Sequence, residues 1–296
     1  MKKLMLLCFS LLLVVSFSGC LDPGFLVEQN IKGNFVPDSQ GIVEIEIVGR
    51  NGSIEIVPVS GGEFNVEMDL RVQTTTRSQA EELVEEKIII DHRSGMFMLS
   101  IEDERIGARI KAEVPKDLIY NVDLVSSNGS LTLKDIVTQN VSLRTSNGSL
   151  NLSDVDFDVV RGRTSNGSLR VEGVNGDILE LETSNGSVDV DGLARVFDIR
   201  SSNSSMDIKP FFPESDGLLK ARTSNGNITV SILQVDDLGY EITGSTSNGR
   251  IDYSKLEGFI KTQRQNRIQS ENLELKSRII DIDLSTSNGN IEVKPQ

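Results

Sequence analysis

Tryptophan is absent from this chain, histidine occurs once, at His92, and the only two cysteines, Cys8 and Cys20, fall within the first twenty residues. A domain that begins after Cys20 therefore has no free thiol and no possible internal disulfide, so its stability must come from packing and backbone ladders. Aromatic residues make up 5% of the chain against 38% hydrophobic residues in all, so the core must be built from Val, Ile and Leu. That composition argues against a disordered chain and suits a narrow β core. Phosphate-cradling glycine loops, Cys/His zinc spacings and basic patches interleaved with aromatics are also missing, and no cofactor is expected. Basic residues are in deficit: the formal charge is −14, and removing Lys2 and Lys3 with a leader would make it more acidic. That balance argues against nucleic acid and anionic lipid headgroups as partners.

What is present begins with Lys2 and Lys3, an apolar run from Leu4 to Phe17, and then Ser18-Gly19-Cys20. This is the layout of an export signal, too short and too abruptly ended for a transmembrane helix. Small residues directly before a cysteine resemble the lipobox of prokaryotic lipoproteins, which implies that Cys20 is acylated and becomes the first mature residue. Phe17 departs from the aliphatic residue usual in that box, and an ordinary signal peptide or uncleaved anchor with an incidental Cys20 stays open. Residues 1–19 are read as the signal peptide and 20–40, with Pro23, Gly24, Gly33 and Pro37, as a tether.

The dominant feature is a tetrapeptide, Thr-Ser-Asn-Gly or a one-letter variant, with its Asn at 128, 147, 166, 185, 203, 225, 248 and 288. A period near twenty residues marks a solenoid in which each repeat is one turn of chain. The expected fold is all-β: a single-chain parallel β-solenoid, a right-handed β-helix of about 19–23 residues per coil, over residues 118–296. Residues 41–117 read as a β-rich N-terminal region with one helix near 77–88, covering the open end of the solenoid. The helix is expected to be capped by Ser78, with Glu81 three residues on. Within 41–117, Asn51-Gly52 reads as a turn joining the two half-buried strands around it. The long interval between Asn248 and Asn288 is expected to hold a degenerate coil with Asn266 in the motif position, or else a polar loop. The last coil ends at Lys294-Pro295-Gln296 with no further cap, leaving an edge blunt or paired with another chain.

Alternation before each turn puts Val141, Leu143 and Thr145 on one side and Ser142, Arg144 and Ser146 on the other, so parity places Asn147 inside. The pattern restarts at Leu150 and Leu152, one residue out of phase, so the chain must turn at Gly148, where glycine permits positive φ. Stacked coils then bring Asn above Asn. The structural positions expected for this turn and amide ladder are Asn128, Gly129, Asn147, Gly148, Asn166, Gly167, Asn185, Gly186, Asn225, Gly226, Asn248, Gly249, Asn288 and Gly289. Buried amides without partners would each cost roughly 1–3 kcal/mol, so inward Asn side chains would have to bond to one another. A Ser/Thr/Asn row could also bind sugar hydroxyls or order water, but corner structure accounts for Asn-Gly without a ligand. The Asn-x-Ser matches to a glycosylation acceptor are read as coincidental.

Candidate chemistry is sparse. His92 sits at a strand end with no evident catalytic partner. The acidic runs at Asp154-Val155-Asp156-Phe157-Asp158, Asp189-Val190-Asp191 and Asp281-Ile282-Asp283 lack the full calcium-loop pattern, and strands with an acidic outer face explain them better. Arg144, Arg163, Arg200 and Arg222 precede four of the motifs, with Glu182 in the equivalent place of another coil. If outward, they form a stripe able to bind an anionic glycan, although neutralisation of neighbouring acids explains it more simply.

From residue 41 to the end, with Val114-Pro115-Lys116-Asp117-Leu118 leading into Ser-Asn-Gly-Ser-apolar-x-apolar coils, the chain resembles the adhesin-like family of prokaryotic β-helix repeat surface lipoproteins. Its adhesin label rests on architecture. The resemblance implies a fold and an envelope location, with no catalytic residues to carry over. The expected function is a lipid-anchored, non-catalytic adhesion or binding module. Its expected partners are the bilayer, through acylated Cys20, and an extracellular glycan or envelope protein. A carbohydrate-active enzyme on the same fold, and a structural envelope accessory without a ligand, are the alternatives.

Overall fold

The computed structural model describes residues 24–34, 41–93, 95–213, 215–262 and 266–296. Cys20 and the leader lie outside the described residues. Among the described residues no helix is long and apolar enough to cross a membrane.

Apolar residues at every second position make the chain a run of short half-buried strands, and these stack into a solenoid-like body with two sheet faces. One face passes through Ile42–Val48, Ile119–Val125, Val137–Arg144 and Asp156–Arg163 in parallel register, then through the second halves of Leu169–Thr183 and Val188–Ser201. The other passes through Ile54–Val59, Leu131–Lys134 and Leu150–Ser153, then through the first halves of the same two long strands. Between the faces lies one aliphatic core. Leu131, Leu150, Leu169 and Val188 are in register and fully buried on one face, with Leu124, Leu143, Leu181 and Ile199 on the other.

The ladder is mixed, parallel through the middle and antiparallel at both ends. At the N-terminal end Glu63–Val72 pairs antiparallel with both Ile106–Pro115 and Phe25–Asn34, while Ile88–Arg93 pairs antiparallel with Met96–Ile101. The helix Arg77–Lys87 spans between these end strands with Ala80, Leu83 and Val84 buried.

Several expectations are corrected. Residues 25–34 are a paired strand, not tether, because Val27, Gln29 and Ile31 are buried beneath the antiparallel ladder. Thr76, not Ser78, caps the helix: Thr76 is extended and its hydroxyl accepts from the Gln79 N–H, whereas Ser78 already lies within the helix. The boundary at 117 is not a structural one. Ile42–Val48 and Ile54–Val59 pair with the next coil, not with each other, so Asn51-Gly52 is the first corner of the solenoid and not a hairpin turn.

The far end also differs. The strands Arg278–Asn288 and Ile291–Pro295 are not the last coil in space. They lie between the coil of Gly217–Asn225 and Ile228–Ile232 and the coil of Leu238–Asn248 and Ile251–Asp252, paired on both sides. The C-terminal edge is therefore covered by an earlier part of the chain. The described residues of the interval 253–277 form no coil: Phe259–Lys261 and Arg267–Ser270 form an antiparallel pair against Leu238–Asn248, and Asn266, at φ 66°, belongs to the connection between them.

Candidate binding site at the solenoid end

Three surfaces are set by the repeat, and each can be tested as a site. The first is the Asn-Gly corner. Thr145, Thr164, Thr183, Thr223 and Thr286 are buried, but Asn128, Asn147, Asn166 and Asn185 are exposed, which overturns their inward placement. Two successive outward residues, Ser and Asn, make the corner, and the N–H groups of Ser146 and Asn147 both donate to the Ser127 carbonyl one coil back. Parity fails there because the chain leaves one sheet for the other between Thr and Gly.

The Asn side chains form a ladder in solvent. Asn147 Nδ2 donates to Asn128 Oδ1 at 2.7 Å, Asn166 to Asn147 at 2.8 Å and Asn185 to Asn166 at 3.0 Å. Asn203, Asn225, Asn288 and Asn248 continue it, and Asn128 donates to Asn51 at the other end. The glycine requirement is mainly steric: Gly129, Gly148, Gly167, Gly186, Gly249 and Gly289 are absent from the residues with positive φ, and only Gly52 and Gly226 of the corners have it, at 150° and 158°. A Cβ on Gly148 would lie 1.8 Å from the carbonyl oxygen of Gly129. At the one coil with Ser204 in this place, the Ser204 hydroxyl accepts from the Gly186 N–H at 3.2 Å. The Asn amides and Thr hydroxyls of the corner are spent on neighbouring coils, so it presents a scaffold.

The second surface is the arginine stripe, which the register brings together: Arg144, Arg163, Glu182, Arg200 and Arg222 stack in one column. Each arginine has an acid. Arg144 pairs with Asp123 at 2.9 Å, Arg163 with Glu182 at 3.2 Å, Arg200 with Asp198 at 2.7 Å and Arg222 with Asp283 at 2.8 Å. The groove between them is shallow, about 270 Å³, and its charge is neutralised. Among the described residues no group of three or more His, Cys, Asp or Glu side chains is placed to hold a metal.

The third surface is a cleft of about 500 Å³ where the residues after Asn248 close the end of the solenoid. It is large enough for a small ligand and lined as ligand pockets are, by apolar groups with a few polar ones. Ile251, Tyr253, Leu256, Phe259 and Ile268 form its apolar wall, and Lys261, Asn266 and Arg267 its polar one. Tyr253 is held by a missing side chain. Gly244 occupies a core position filled by Leu284 and Ala221 in the coils below, and a Cβ there would lie 2.3 Å from the Tyr253 hydroxyl. The ring of Tyr253 thus plugs the core from its open end, and burial pushes its hydroxyl up to about 12.

Among the described residues the Tyr253 hydroxyl and the Arg267 Nε are buried without a hydrogen-bond partner, while the other end of the Arg267 guanidinium pairs with Glu241. Lys261 makes no ion pair among the described residues. Phe259 separates this cleft from a second one of about 340 Å³, and its ring lies 6.3 Å from that of Tyr240. Sequence reasoning did not select Tyr253, Phe259 or Arg267. The available signal was the break in the repeat after Asn248.

Residues 42–294 match the Toastrack DUF4097 family, and the chain belongs to it. No curated protein matches the chain. Among solved structures, a candidate adhesin from Bacteroides fragilis NCTC 9343 is similar at 11% identity and TM-score 0.43, over 90% of this chain and 96% of that one. A candidate cell adhesion protein from Clostridium sporogenes ATCC 15579 is 12% identical at TM-score 0.28, over 91% of this chain and 100% of that one. A candidate lipid binding protein from Parabacteroides distasonis ATCC 8503 is 10% identical at TM-score 0.28, over 90% and 96%.

Proposed function

We propose that this Toastrack chain is a non-catalytic binding module displayed at the cell envelope, carried on a lipid at Cys20, and that the terminal cleft takes the end of an extracellular glycan. The observation that carries this reading is the cleft itself, where the aromatic side chains of Tyr253 and Phe259 adjoin the exposed Lys261 and Asn266 as donors. A sugar ring offers C–H edges to such side chains and oxygen acceptors to such donors. The body between anchor and cleft is read as a right-handed β-helix, the hand that parallel strand crossovers take in about 98% of cases. Its role is to hold the cleft away from the bilayer.

The test is a glycan array probed with the full chain in nanodiscs, paired with a reducing-end assay on any bound glycan. Binding without turnover is expected, lost in Phe259→Ala and Lys261→Ala and kept in Arg200→Ala, whose side chain lies on the neutralised stripe. Turnover would instead favour the carbohydrate-active alternative, and binding that survives both cleft variants would move the site elsewhere. Retention of no glycan, matrix or envelope component would favour the structural accessory reading. Mass analysis of the N-terminal peptide checks the anchor: an unacylated Cys20 removes it.

A further inference from the structure

The amide ladder bears on a chemical problem built into the repeat. An exposed Asn followed by Gly is prone to deamidation, because glycine has no side chain to shield its backbone nitrogen or restrain its approach to the Asn side chain. That nitrogen attacks Cγ and a C–N bond forms. The Cγ–Nδ2 bond breaks, ammonia leaves, and water opens the resulting succinimide to aspartate or isoaspartate. This chain carries nine Asn-Gly pairs: eight stand in the ladder, counting Asn51-Gly52 and leaving out Asn203-Ser204, and the ninth, Asn175-Gly176, lies within the strand Leu169–Thr183, where Asn175 Nδ2 donates to Asp156.

In the ladder almost every Asn side chain is held at both ends. Asn166, for example, donates to Asn147 Oδ1 at 2.8 Å and accepts from Asn185 Nδ2 at 3.0 Å. At the N-terminal end Asn51 accepts from Asn128 at 2.6 Å and donates to the Glu104 carbonyl at 2.7 Å. A side chain pinned along the solenoid axis cannot swing its Cγ onto the following nitrogen. Several of those nitrogens are also engaged: the Gly148 and Gly167 N–H groups donate to Thr145 and Thr164, and the Gly289 N–H to the Asn248 carbonyl.

One rung differs in every respect. Asn248 ends the ladder, donating to Asn288 at 2.8 Å while its own Oδ1 accepts nothing among the described residues. Gly249 is the exposed glycine of the motif series, where Gly129, Gly148 and Gly167 are buried, and its N–H has no hydrogen bond among the described residues. We propose that Asn248 is a modification site, the one rung of the ladder that converts spontaneously to aspartate or isoaspartate while the interior rungs are protected. Conversion places a new carboxylate, and for isoaspartate an extra backbone methylene, just before Ile251–Asp252, the strand that leads into the terminal cleft.

The experiment is peptide mapping of the full chain, aged folded in mildly alkaline buffer, with isoaspartate detection at each Asn-Gly. Asn248 is expected to convert at least about tenfold faster than Asn147, Asn166 or Asn185, a barrier difference near 1.4 kcal/mol. A parallel incubation in denaturant should erase that difference, which assigns it to structure rather than to the neighbouring Arg250. In Asn166→Ala, Asn147 loses the donor to its Oδ1 and should become labile like Asn248. Equal folded-state rates at all rungs, or a preference for Asn248 that persists in denaturant, would overturn the proposal. The wild-type comparison decides even where the variant fails to fold.

Discussion

The hydroxyl of Thr164 donates to the carbonyl oxygen of Gly148, 2.8 Å away in the preceding coil, and accepts from the Gly167 N–H of its own coil at 3.2 Å. One buried side chain thus satisfies two backbone groups that no sheet can reach at the corner. Thr164→Val keeps the shape and removes both bonds, and the unmet buried groups should cost about 1–3 kcal/mol in denaturant unfolding. Thr164→Ser, which retains the hydroxyl, should recover most of that loss. Equal stability of the Val variant and the parent would remove the threonine from the account of the corner.

Close stacking makes the motif glycines irreplaceable for a different reason. A Cβ on Gly167 would stand 1.7 Å from the Gly148 carbonyl oxygen, whereas one on Gly62 would meet nothing within 4 Å. Gly167→Ala must force two coils apart and should lower stability by about 3 kcal/mol or more. Gly62→Ala, measured in the same titration, should be close to neutral.

Exposed amide ladders contribute less than buried hydroxyls, because water competes for each bond. Asn166→Ala breaks two ladder bonds and Asn248→Ala one. With a net value of about 0.5–1.5 kcal/mol per bond, the interior substitution should cost about twice the terminal one. Thermal melts of the two variants beside the parent check that ratio.

Much of this body is legible in the repeat, and the misreadings share a cause. Period-2 alternation announces Val141, Leu143 and Thr145 as core, because strand geometry translates directly into sequence. The same rule fails at Asn147, since a corner adds an outward residue that parity cannot count. Asn51-Gly52 was disguised because the strands around it look the same whether they pair with each other or with a distant coil. Nothing local distinguishes Gly244 as the space for Tyr253, since that contact depends on which coil ends the stack.

Acid sensitivity should be visible at the N-terminal end. Hydrogen bonds from the Arg105 guanidinium and from its N–H hold the Asp103 carboxyl down at about 2. A carboxylate held below its unfolded value contributes stability that is present above the ordinary carboxylate range and is lost as pH falls through about 2. After allowance for solvent screening the contribution is about 1 kcal/mol. Asp103→Asn should therefore destabilise the chain at neutral pH and flatten the acid limb of its pH–stability profile, read from urea midpoints.

The coil of residues 278–295 is paired on both sides, so it supports more than itself. A stop before Arg278 should leave Gly217–Asn225 with an open edge and Leu238–Asn248 without a parallel partner. Hydrogen exchange across 238–270 should then lose its protection while residues 119–201 keep theirs. Protection of 238–270 in the shortened chain would show that the preceding coil can replace the missing one.

Because Leu238–Asn248 precedes Arg278–Asn288 in the chain but lies beyond it in the stack, assembly cannot follow the order of synthesis. A growing polypeptide can wind its early coils one upon another as they arrive. It must then hold residues 238–277 in waiting until the following segment slides in beneath them. The terminal cleft is thus the last part of the molecule to exist, and a chain that displays it has been delivered through its inserted coil.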